Sequence, residues 1–383
     1  MMSYLPPDLV EEILSRVPAT SLIRLRSTCK LWNTLFKHPK FAEKQFRKAP
    51  KESFVLMLKE YRVCPMNVNL NVSPPHIEFK GALALSNYPS NSEEVYIHEV
   101  FHCDGLLLCR TMDYRLVVWN PCLGETRWIQ TEKKYSRLAL GYEKNKSGHI
   151  YKILKCRDNI PYGQVDEFEI YDFSSDSWRV LDVVALDCFI LSSIGVSLKG
   201  NTYWRALDKV NYYQFLVNFD FTAERFTRLC LPPFQNVPER FERMCLPLVV
   251  GRMALSVVGE KQLSVLSQSD STSKIDIWIT NEIDNDIKGV LQWSKSFTVD
   301  IPFGGYNYLF FLSFLNDEEK KVALCCDRSC QIGKNKVYII GEGDENYTEI
   351  VYAESTNKLW WHPFIFSYVP SLVQIQQGRC KRE

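Results

Sequence analysis

The first forty residues carry the feature that most constrains the fold of this chain. Three short apolar segments follow one another there, separated by proline or by serine and threonine. Leu9, Ile13 and Val17 recur at four-residue steps, which places them on one face of a helix. Helices this short cannot hide all of their apolar side chains among themselves. The sequence therefore predicts a module of three short helices with an apolar surface that another protein or domain must cover.

Proline residues set the limits of these helices. Pro7 fits a first helical turn, where its missing N–H costs nothing, and Pro18 ends the first helix. Pro39 ends the third helix. Phe41 and Phe46, beyond Pro39, indicate one or two further turns of amphipathic helix.

These residues resemble an F-box, the module that joins a substrate receptor to a cullin-based ubiquitin ligase through a small Skp-type adaptor. The resemblance covers about residues 4 to 46, and its two departures, Val17 and Thr28, leave the charge unchanged. A helical hairpin packed on its own chain is the alternative interpretation. The residues that match the F-box in order and spacing, and to which the resemblance assigns adaptor binding, are Leu5, Pro6, Leu9, Ile13, Leu14, Pro18, Leu22, Leu25, Cys29, Lys30 and Trp32.

Beyond about residue 53 the periodicity changes from helical to strand-like. Five units recur, in each of which a strand ends in an aromatic residue and a second large apolar residue follows a turn. The turn usually has an Asp or Asn, whose side chain can bond the turn backbone. The two aromatic side chains can then meet across a hairpin. The units are 116–120 with Trp128, 168–172 with Trp178, 216–220 with Phe226, 275–278 with Trp293, and 351–352 with 359–360.

A period near 50 residues with several strands per unit is typical of a β-propeller, and it favours one of kelch type. The turn residues Asn120, Asp172 and Asp220 follow this period. A β-sandwich is the alternative, but it seldom needs so many strands or so regular a repeat. The ring would close if the early strand at 54–58 pairs into the last blade near 360–366.

This region resembles the F-box-associated domain that follows the F-box in a very large plant family. The resemblance spans about residues 95 to 365. Each motif is weak by itself, but the motifs occur in the family's order behind an F-box, and they are interpreted as framework residues. They are Cys103-Asp104-Gly105-Leu106-Leu107, Trp119-Asn120-Pro121, Thr126-Arg127, Tyr171-Asp172, Ser177-Trp178-Arg179, Gly200-Asn201, Tyr203-Trp204, Phe219-Asp220 and Phe226.

Composition argues against several other classes of protein. The formal net charge is +1, whereas bulk binding of nucleic acid needs a strongly basic face. No apolar run approaches the roughly 20 residues of a membrane helix, and the N-terminus has no secretory signal. The 13 cysteines have irregular spacings and are interpreted as free thiols in a reducing compartment. The sequence therefore predicts a cytosolic or nuclear protein.

No motif predicts a catalytic, cofactor or metal site. His98 and His102, beside Cys103 and Cys109, have the residue types of metal ligands. Strand positions four apart are separated by about 13 Å, however, which is too far for one zinc ion. The thiols at 325–330 have no nearby histidine. The chain also lacks a Gly-rich phosphate loop and a Gly-x-Ser-x-Gly elbow.

The sequence thus predicts a multidomain protein, with a small three-helix α module followed by an all-β, propeller-like domain of kelch type. We expect the helical F-box module at 1–47 and a connecting segment with a possible propeller-closing strand at 48–95. The F-box-associated propeller follows at 96–370, and a polar tail at 371–383.

The resemblance implies a non-catalytic substrate-recognition subunit of an SCF-type ubiquitin ligase. It would bind a Skp-type adaptor, and through it a cullin, by the F-box, and an unknown protein target by the β domain. Alternatives are a non-degradative F-box scaffold and a lectin-like propeller that binds glycans. Target binding is predicted in turn-rich stretches with aromatics and arginine, although packing against a neighbouring blade explains each residue as well. These residues are Arg205, Tyr212, Tyr213, Phe234, Arg240, Phe303, Tyr306 and Tyr308.

Overall fold

The structure is a computed structural model in which short helices precede a long series of strands. It describes residues 5–72, 74–85, 94–131, 136–145, 148–159, 164–182, 186–191, 194–211, 213–233, 253–268, 274–283, 291–300, 311–327, 334–342, 347–354 and 363–375. Within these ranges, no helix is long and apolar enough to cross a membrane.

Four helices form the N-terminal module in the described chain, so the count of three is not confirmed, and the further turns indicated by Phe41 and Phe46 form the fourth helix. Pro39 both follows the third helix and opens the fourth, because a proline is well tolerated in a first helical turn. The fourth helix buries Phe41 and Ala42 and extends the module to Lys48. The helices are α1 (Pro7–Leu14), α2 (Ala19–Leu25), α3 (Lys30–Phe36) and α4 (Pro39–Lys48).

The strands form a six-bladed β-propeller, and each blade is a four-stranded antiparallel meander. The propeller prediction is therefore confirmed, whereas the kelch type stays a prediction. Blade 1 consists of β4 (Ile97–Cys103), β5 (Leu106–Thr111), β6 (Leu116–Asn120) and β7 (Glu125–Ile129). Blade 2 consists of β8 (Ser136–Asn145), β9 (Gly148–Asn159), β10 (Gln164–Asp172) and β11 (Ser177–Val180). Blade 3 consists of β13 (Val196–Leu198), β14 (Asn201–Asp208), β15 (Gln214–Asp220) and β16 (Arg225–Leu229).

A short extra strand, β12 (Cys188–Ile190), pairs with both β10 and β14 and so joins blades 2 and 3 into one sheet. Blade 6 combines strands from both ends of the chain. Blade 4 consists of β17 (Met253–Val258), β18 (Gln262–Gln268), β19 (Lys274–Thr280) and β20 (Trp293–Asp300). Blade 5 consists of β21 (Phe311–Asp317), β22 (Val322–Asp327), β23 (Lys334–Gly341) and β24 (Tyr347–Glu354). Blade 6 consists of β25 (Phe364–Tyr368), β1 (Phe54–Lys59), β2 (Arg62–Asn69) and β3 (His76–Phe79).

The ring closes where the first strand pairs with the last, as the sequence predicts. β1 runs antiparallel to β25, with Phe54 opposite Tyr368 and Leu58 opposite Phe364. β1, β2 and β3 are therefore the three outer strands of blade 6. The segment 48–95, expected to be a connection with one possible closing strand, contributes most of a blade.

The recurring sequence units correspond to the third and fourth strands of the blades. Four of the five predicted hairpins are present: β6–β7, β10–β11, β15–β16 and β19–β20. The fifth was misplaced by one strand. Val351 lies in β24, the outer strand of blade 5, which pairs with β23, and its expected partners at 359–360 lie outside the described residues.

The turn chemistry within these hairpins follows the sequence pattern. The carboxylate of Asp220 accepts hydrogen bonds from the backbone N–H groups of Thr222 and Ala223 at 2.8 and 3.0 Å, as expected of an Asx turn. Across the same hairpin, the rings of Phe219 and Phe226 lie 4.8 Å apart. This pairing of aromatic side chains stabilises the outer edge of the blade.

The propeller has two faces with different roles. In blades 1 to 5, the turns between the first and second strands lie on one face, for example at Gly105 and Glu260, and the helices pack against this face. We call it the helix face. The opposite face carries the turns between second and third strands, such as 60–61 and 112–115, and the connections from blade to blade. We call it the distal face.

Closure can be tested at Met57 in β1. Its side chain is fully buried between blades 5 and 6, against Leu324 and Ile339. We expect Met57→Ala to lower the free energy of unfolding by about 2–5 kcal/mol, because it leaves a cavity in a packed interface. Urea unfolding of the purified chain measures this change. Phe54→Ala, in an exposed side chain of the same strand, is the control, and an equal loss in both variants would contradict the role of the interface.

Candidate functional site

The outer face of α1 leaves large apolar side chains in solvent. Leu9 and Ile13 lie one helical turn apart and are 51% and 42% exposed. Leu5, just before the helix, and Leu31 on α3 are also exposed. An exposed apolar surface of this kind on a soluble protein is typical of a site of protein–protein contact.

The predicted adaptor contacts divide between this surface and the module's interior. Leu14 and Leu22 are buried with Phe36 and Phe41, so their role in this conformation is to hold the helices together. The remaining contacts keep access to solvent. Leu5, Pro6, Leu9, Ile13 and Lys30 are exposed, whereas Pro18, Leu25, Cys29 and Trp32 are half-buried.

Ion pairs hold α1 against α4 from its polar side. The carboxylate of Glu12 accepts hydrogen bonds from Lys48 at 2.7 Å and Arg16 at 3.0 Å, and Glu11 pairs with Lys44 at 2.7 Å. Hydrogen bonds from Lys48, Arg16 and Lys44 lower the pKa of Glu12 to about 2. The polar side of α1 is thus occupied within the module, which directs Leu9 and Ile13 outward.

A segment from the far end of the chain completes the core of this module. We call residues 369–375 the C-terminal strap. Leu372 in the strap is 1% exposed and packs in one cluster with Leu14, Leu22 and Phe41. The sequence prediction of a polar tail from residue 371 is therefore wrong for residues 371–375. Leu372, Val373 and Ile375 were the available signal, since apolar residues cluster there.

Hydrogen bonds tie the strap to blade 1. The side-chain amide of Asn120 donates to the carbonyl oxygens of Ser371 and Val373 at 3.1 and 2.7 Å. Its amide oxygen accepts from the backbone N–H groups of Cys122 and Leu123. Asn120 thus closes its own turn and also fixes the strap. Cys122 and Leu123 pack against the helices, so blade 1, the strap and the F-box module share one interface.

The strap passes so close to blade 1 that one position there requires glycine. Gly105 has φ +79°, and a Cβ on it would lie 2.5 Å from Oγ of Ser371 and 2.7 Å from the carbonyl oxygen of Val369. Both the left-handed backbone and the close approach exclude a larger residue. The Gly105 of the sequence motif therefore contributes to the junction between module and propeller.

Beside Gly105, the carboxyl group of Asp104 lies partly buried beneath the helices. Burial, and next the charge of Glu260, raise the pKa of Asp104 to about 7, while Lys51, Tyr142 and Lys144 lower it. The Asp104 carbonyl oxygen accepts a 2.8 Å hydrogen bond from the Ser371 hydroxyl. The junction thus contains a carboxyl group that titrates near neutral pH.

The predicted target-binding residues lie mostly outside the described residues. These are Tyr212, Phe234, Arg240, Phe303, Tyr306 and Tyr308. The described strand ends that flank them, at Asp208, Leu229 and Asp300, all point to the distal face. Tyr213 is described and exposed on that face.

Arg205 is buried and does not lie on a rim loop. It lies within β14, and its guanidinium group donates to the carbonyl oxygen of Met253 in β17 and, at 2.9 Å, to the side chain of Gln214. Burial lowers its pKa to about 9. Arg205 therefore links blades 3 and 4, and the prediction that it contacts a target is wrong for this conformation. A single sequence cannot distinguish a strand arginine that packs between blades from one in a binding loop.

The candidate metal ligands of β4 have structural contacts instead. The imidazole of His102 accepts a 3.1 Å hydrogen bond from the backbone N–H of Gly105 and packs beside the rings of Phe366 and Tyr368. Burial lowers its pKa to about 4. In the described part of the chain, no three His, Cys, Asp or Glu side chains cluster as a metal site.

The fold thus defines a protein in which a small helical module, with exposed apolar side chains on its first helix, is held on one face of a β-propeller. Comparison with known proteins agrees. Residues 2–44 match the F-box domain, and residues 54–375 match the family described as F-box associated beta propeller domain. The chain belongs to the plant F-box proteins that carry this C-terminal domain.

Three relatives, all from Arabidopsis thaliana, illustrate the similarity. A protein named as an F-box/kelch-repeat protein is 67% identical, with 99% of each chain covered. One named as F-box only protein 9 is 52% identical over 99% of this chain and 98% of its own. A third, named as an F-box protein, is 53% identical over 85% of this chain and 93% of its own.

Among solved structures, the β-propeller domain of Cps50 (Swd1) from Myceliophteria thermophila matches with a TM-score of 0.32 and 13% identity. The match covers 68% of this chain and 72% of that chain.

The strap can be tested by truncating its buried anchor. We expect Leu372→Ala to destabilise the helical module by about 2–5 kcal/mol, because Leu372 fills its core from outside. Hydrogen exchange of the backbone amides in α1–α4 should rise, while the amides of β14 and β15 stay protected. The control is Val373→Ala, a half-buried neighbour in the strap. Unchanged exchange in the helices of Leu372→Ala would contradict this role.

The Asp104 carboxyl predicts a dependence of stability on pH. Its folded pKa of about 7 lies above its ordinary value of 3.8, so its contribution to stability is complete below about pH 4 and is lost as the pH rises through 7. We expect the thermal midpoint of Asp104→Asn to exceed that of the wild type more at pH 8 than at pH 5. Asparagine suits the left-handed backbone of this position.

Asp300→Asn is the control for this measurement, since the side chain of Asp300 is largely exposed. Parallel pH profiles of the wild type and Asp104→Asn would show that Asp104 does not titrate in this range.

Proposed function

We propose that this protein is the substrate-recognition subunit of an SCF-type ubiquitin ligase. Its F-box helices dock to a Skp-type adaptor, and through that adaptor to a cullin, while the distal face of the propeller holds a target protein. The exposed Leu9 and Ile13 on α1 are the observation that carries this proposal. They lie outside the core that the strap completes, so they are available to a partner without unfolding of the module.

The mechanism that we propose is proximity, and this chain supplies no chemical group to the reaction. The helices occupy one face of the propeller, and the strap fixes them there through Leu372 and Asn120. A target on the distal face is then held at a constrained position relative to the adaptor. The gain is effective concentration, because an encounter between two molecules becomes nearly intramolecular.

We further propose that the protein acts in the cytosol or nucleus. Cys103 and Cys109 are free thiols that are buried in the propeller. Burial raises the pKa of Cys103, which keeps this thiol protonated and unreactive. Free buried thiols suit a reducing compartment.

The docking surface is tested by the double variant Leu9→Ala, Ile13→Ala. We expect it to lower the affinity for a purified Skp-type adaptor at least about tenfold, because buried aliphatic anchors at an interface contribute strongly. Its thermal midpoint should match that of the wild type, since both side chains are exposed in the free protein. Isothermal titration with the adaptor measures the affinity.

The matched control is Val72→Ala, Val351→Ala, which removes two exposed apolar side chains from the propeller. It should bind the adaptor as the wild type does. Undiminished binding by the α1 variant would refute the assignment of the docking surface.

A second measurement separates the receptor from the alternative functions. Proteins that copurify with the full chain should include a cullin, and at least one should be lost from cells after induction and recovered on proteasome inhibition. A cullin without any such loss would favour a non-degradative scaffold. Binding on a glycan array would favour a lectin-like propeller.

A further inference from the structure

The distal face carries an exposed aromatic surface where blades 6 and 1 meet. It consists of the half-buried Tyr61 in the β1–β2 turn, Tyr96 before β4, and Met112 and Tyr114 in the β5–β6 turn. Tyr96 is 46% exposed, and Met112 and Tyr114 are exposed to a similar degree. We call these four residues the tyrosine patch.

Contacts between the three segments make the patch one rigid platform. The ring of Tyr61 meets that of Tyr96 edge-on, with centroids 6.3 Å apart. The Met112 N–H donates to the carbonyl oxygen of Tyr96 at 2.9 Å, and the Ile97 N–H donates to that of Tyr61 at 2.7 Å. The exposed rings are thus fixed by the same backbone bonds that join the two blades. Rigid aromatic side chains lose little conformational freedom when they bind a partner.

Two of the tyrosines occupy backbone positions that disfavour any side chain. Tyr61 has φ 64° and Tyr114 has φ 66°, in the left-handed region where glycine is the usual residue. On the helix face, glycine occupies the same point of the turn at Gly105 and Gly200, whereas the β17–β18 turn has Glu260 there, with φ 56°. Because glycine accepts this backbone conformation, exchange of Tyr114 for glycine removes the side chain without straining the turn.

The charges around the patch are paired with one another. Arg62 forms an ion pair with Glu94, and its guanidinium lies 5.9 Å from the ring centroid of Tyr96. Arg115 pairs with Asp113 at 2.5 Å. Among the described residues, the rim therefore has no excess of either sign. A polyanion or a strongly charged peptide would need an excess of charge to bind here.

We propose that the tyrosine patch receives an extended protein segment of the target, anchored by a large uncharged aromatic or aliphatic side chain. This inference rests on the proposed receptor function and names the surface that performs it. The rings supply apolar contact to the anchor, and their hydroxyl groups can bond the backbone of the segment. The paired rim selects against charge at the anchor.

The test uses the full chain bound to its adaptor and a phage library of random linear peptides. We expect enrichment of peptides with an uncharged aromatic or aliphatic anchor. A synthetic copy of an enriched peptide should lose affinity at least about tenfold for Tyr96→Ala, as for a central interface tyrosine. Fluorescence anisotropy measures the affinity, which should vary little with salt concentration.

The control is Val180→Ala. Val180 ends β11, the outer strand of blade 2, and is 60% exposed, so this variant should bind the peptide as the wild type does. A second variant, Tyr114→Gly, separates function from folding. Glycine relieves the backbone strain, so the thermal midpoint should stay or rise while the peptide affinity falls.

Several results would overturn this proposal. The first is that no peptides are enriched, and the second is that the wild type and Tyr96→Ala bind the peptide equally. The third is a preference for charged peptides with a strong dependence on salt concentration, and the fourth is binding of glycans in place of peptides. Adaptor binding is measured on the same preparations. If the peptide tests of the tyrosine patch fail but the wild type binds the adaptor, the receptor function stands and its target surface lies elsewhere. If the wild type does not bind the adaptor, the receptor function itself is refuted.

Discussion

The pairing of β1 with β25 is the constraint on which the rest of the structure depends. Blade 6 takes three strands from the beginning of the chain and one from its end, so no ring exists until the two ends meet. The antiparallel register brings Phe54 and Tyr368 together at the helix face. The helices that precede β1 and the strap that follows β25 therefore emerge side by side. Their joint core is a direct result of how the propeller closes.

This arrangement separates the two surfaces of the protein. The proposed surface for adaptor docking is the outer side of α1, whereas the turns of the distal face are at the other end of the blades. The strap, Asn120 and Gly105 join the module to blade 1 by burial, hydrogen bonds and close backbone approach. The junction also contains the partly buried Asp104, so its electrostatics depend on pH in the neutral range. Position and rigidity, more than chemistry, are what the fold provides.

Local periodicity predicted much of this fold because the information is local. The helices, the third-to-fourth-strand hairpins and the closing strand all follow from patterns a few residues long. Long-range contacts were missed for the same reason. Nothing near Leu372 indicates that its partners are Leu14 and Leu22, and nothing near Arg205 reveals that Met253 accepts its hydrogen bond. The fifth hairpin was misplaced because β23 ends in Ile340-Gly341, whereas the third strands of blades 1 to 3 end in an aromatic residue followed by aspartate or asparagine.

The strap determines when the core of the helical module can be completed during synthesis of the chain. The F-box helices leave the ribosome first, but their core has an open side until Leu372, near the end of the chain, reaches it. A nascent or prematurely terminated chain therefore exposes an incomplete module. In the proposed receptor, docking of the adaptor is in this way linked to synthesis of the strap.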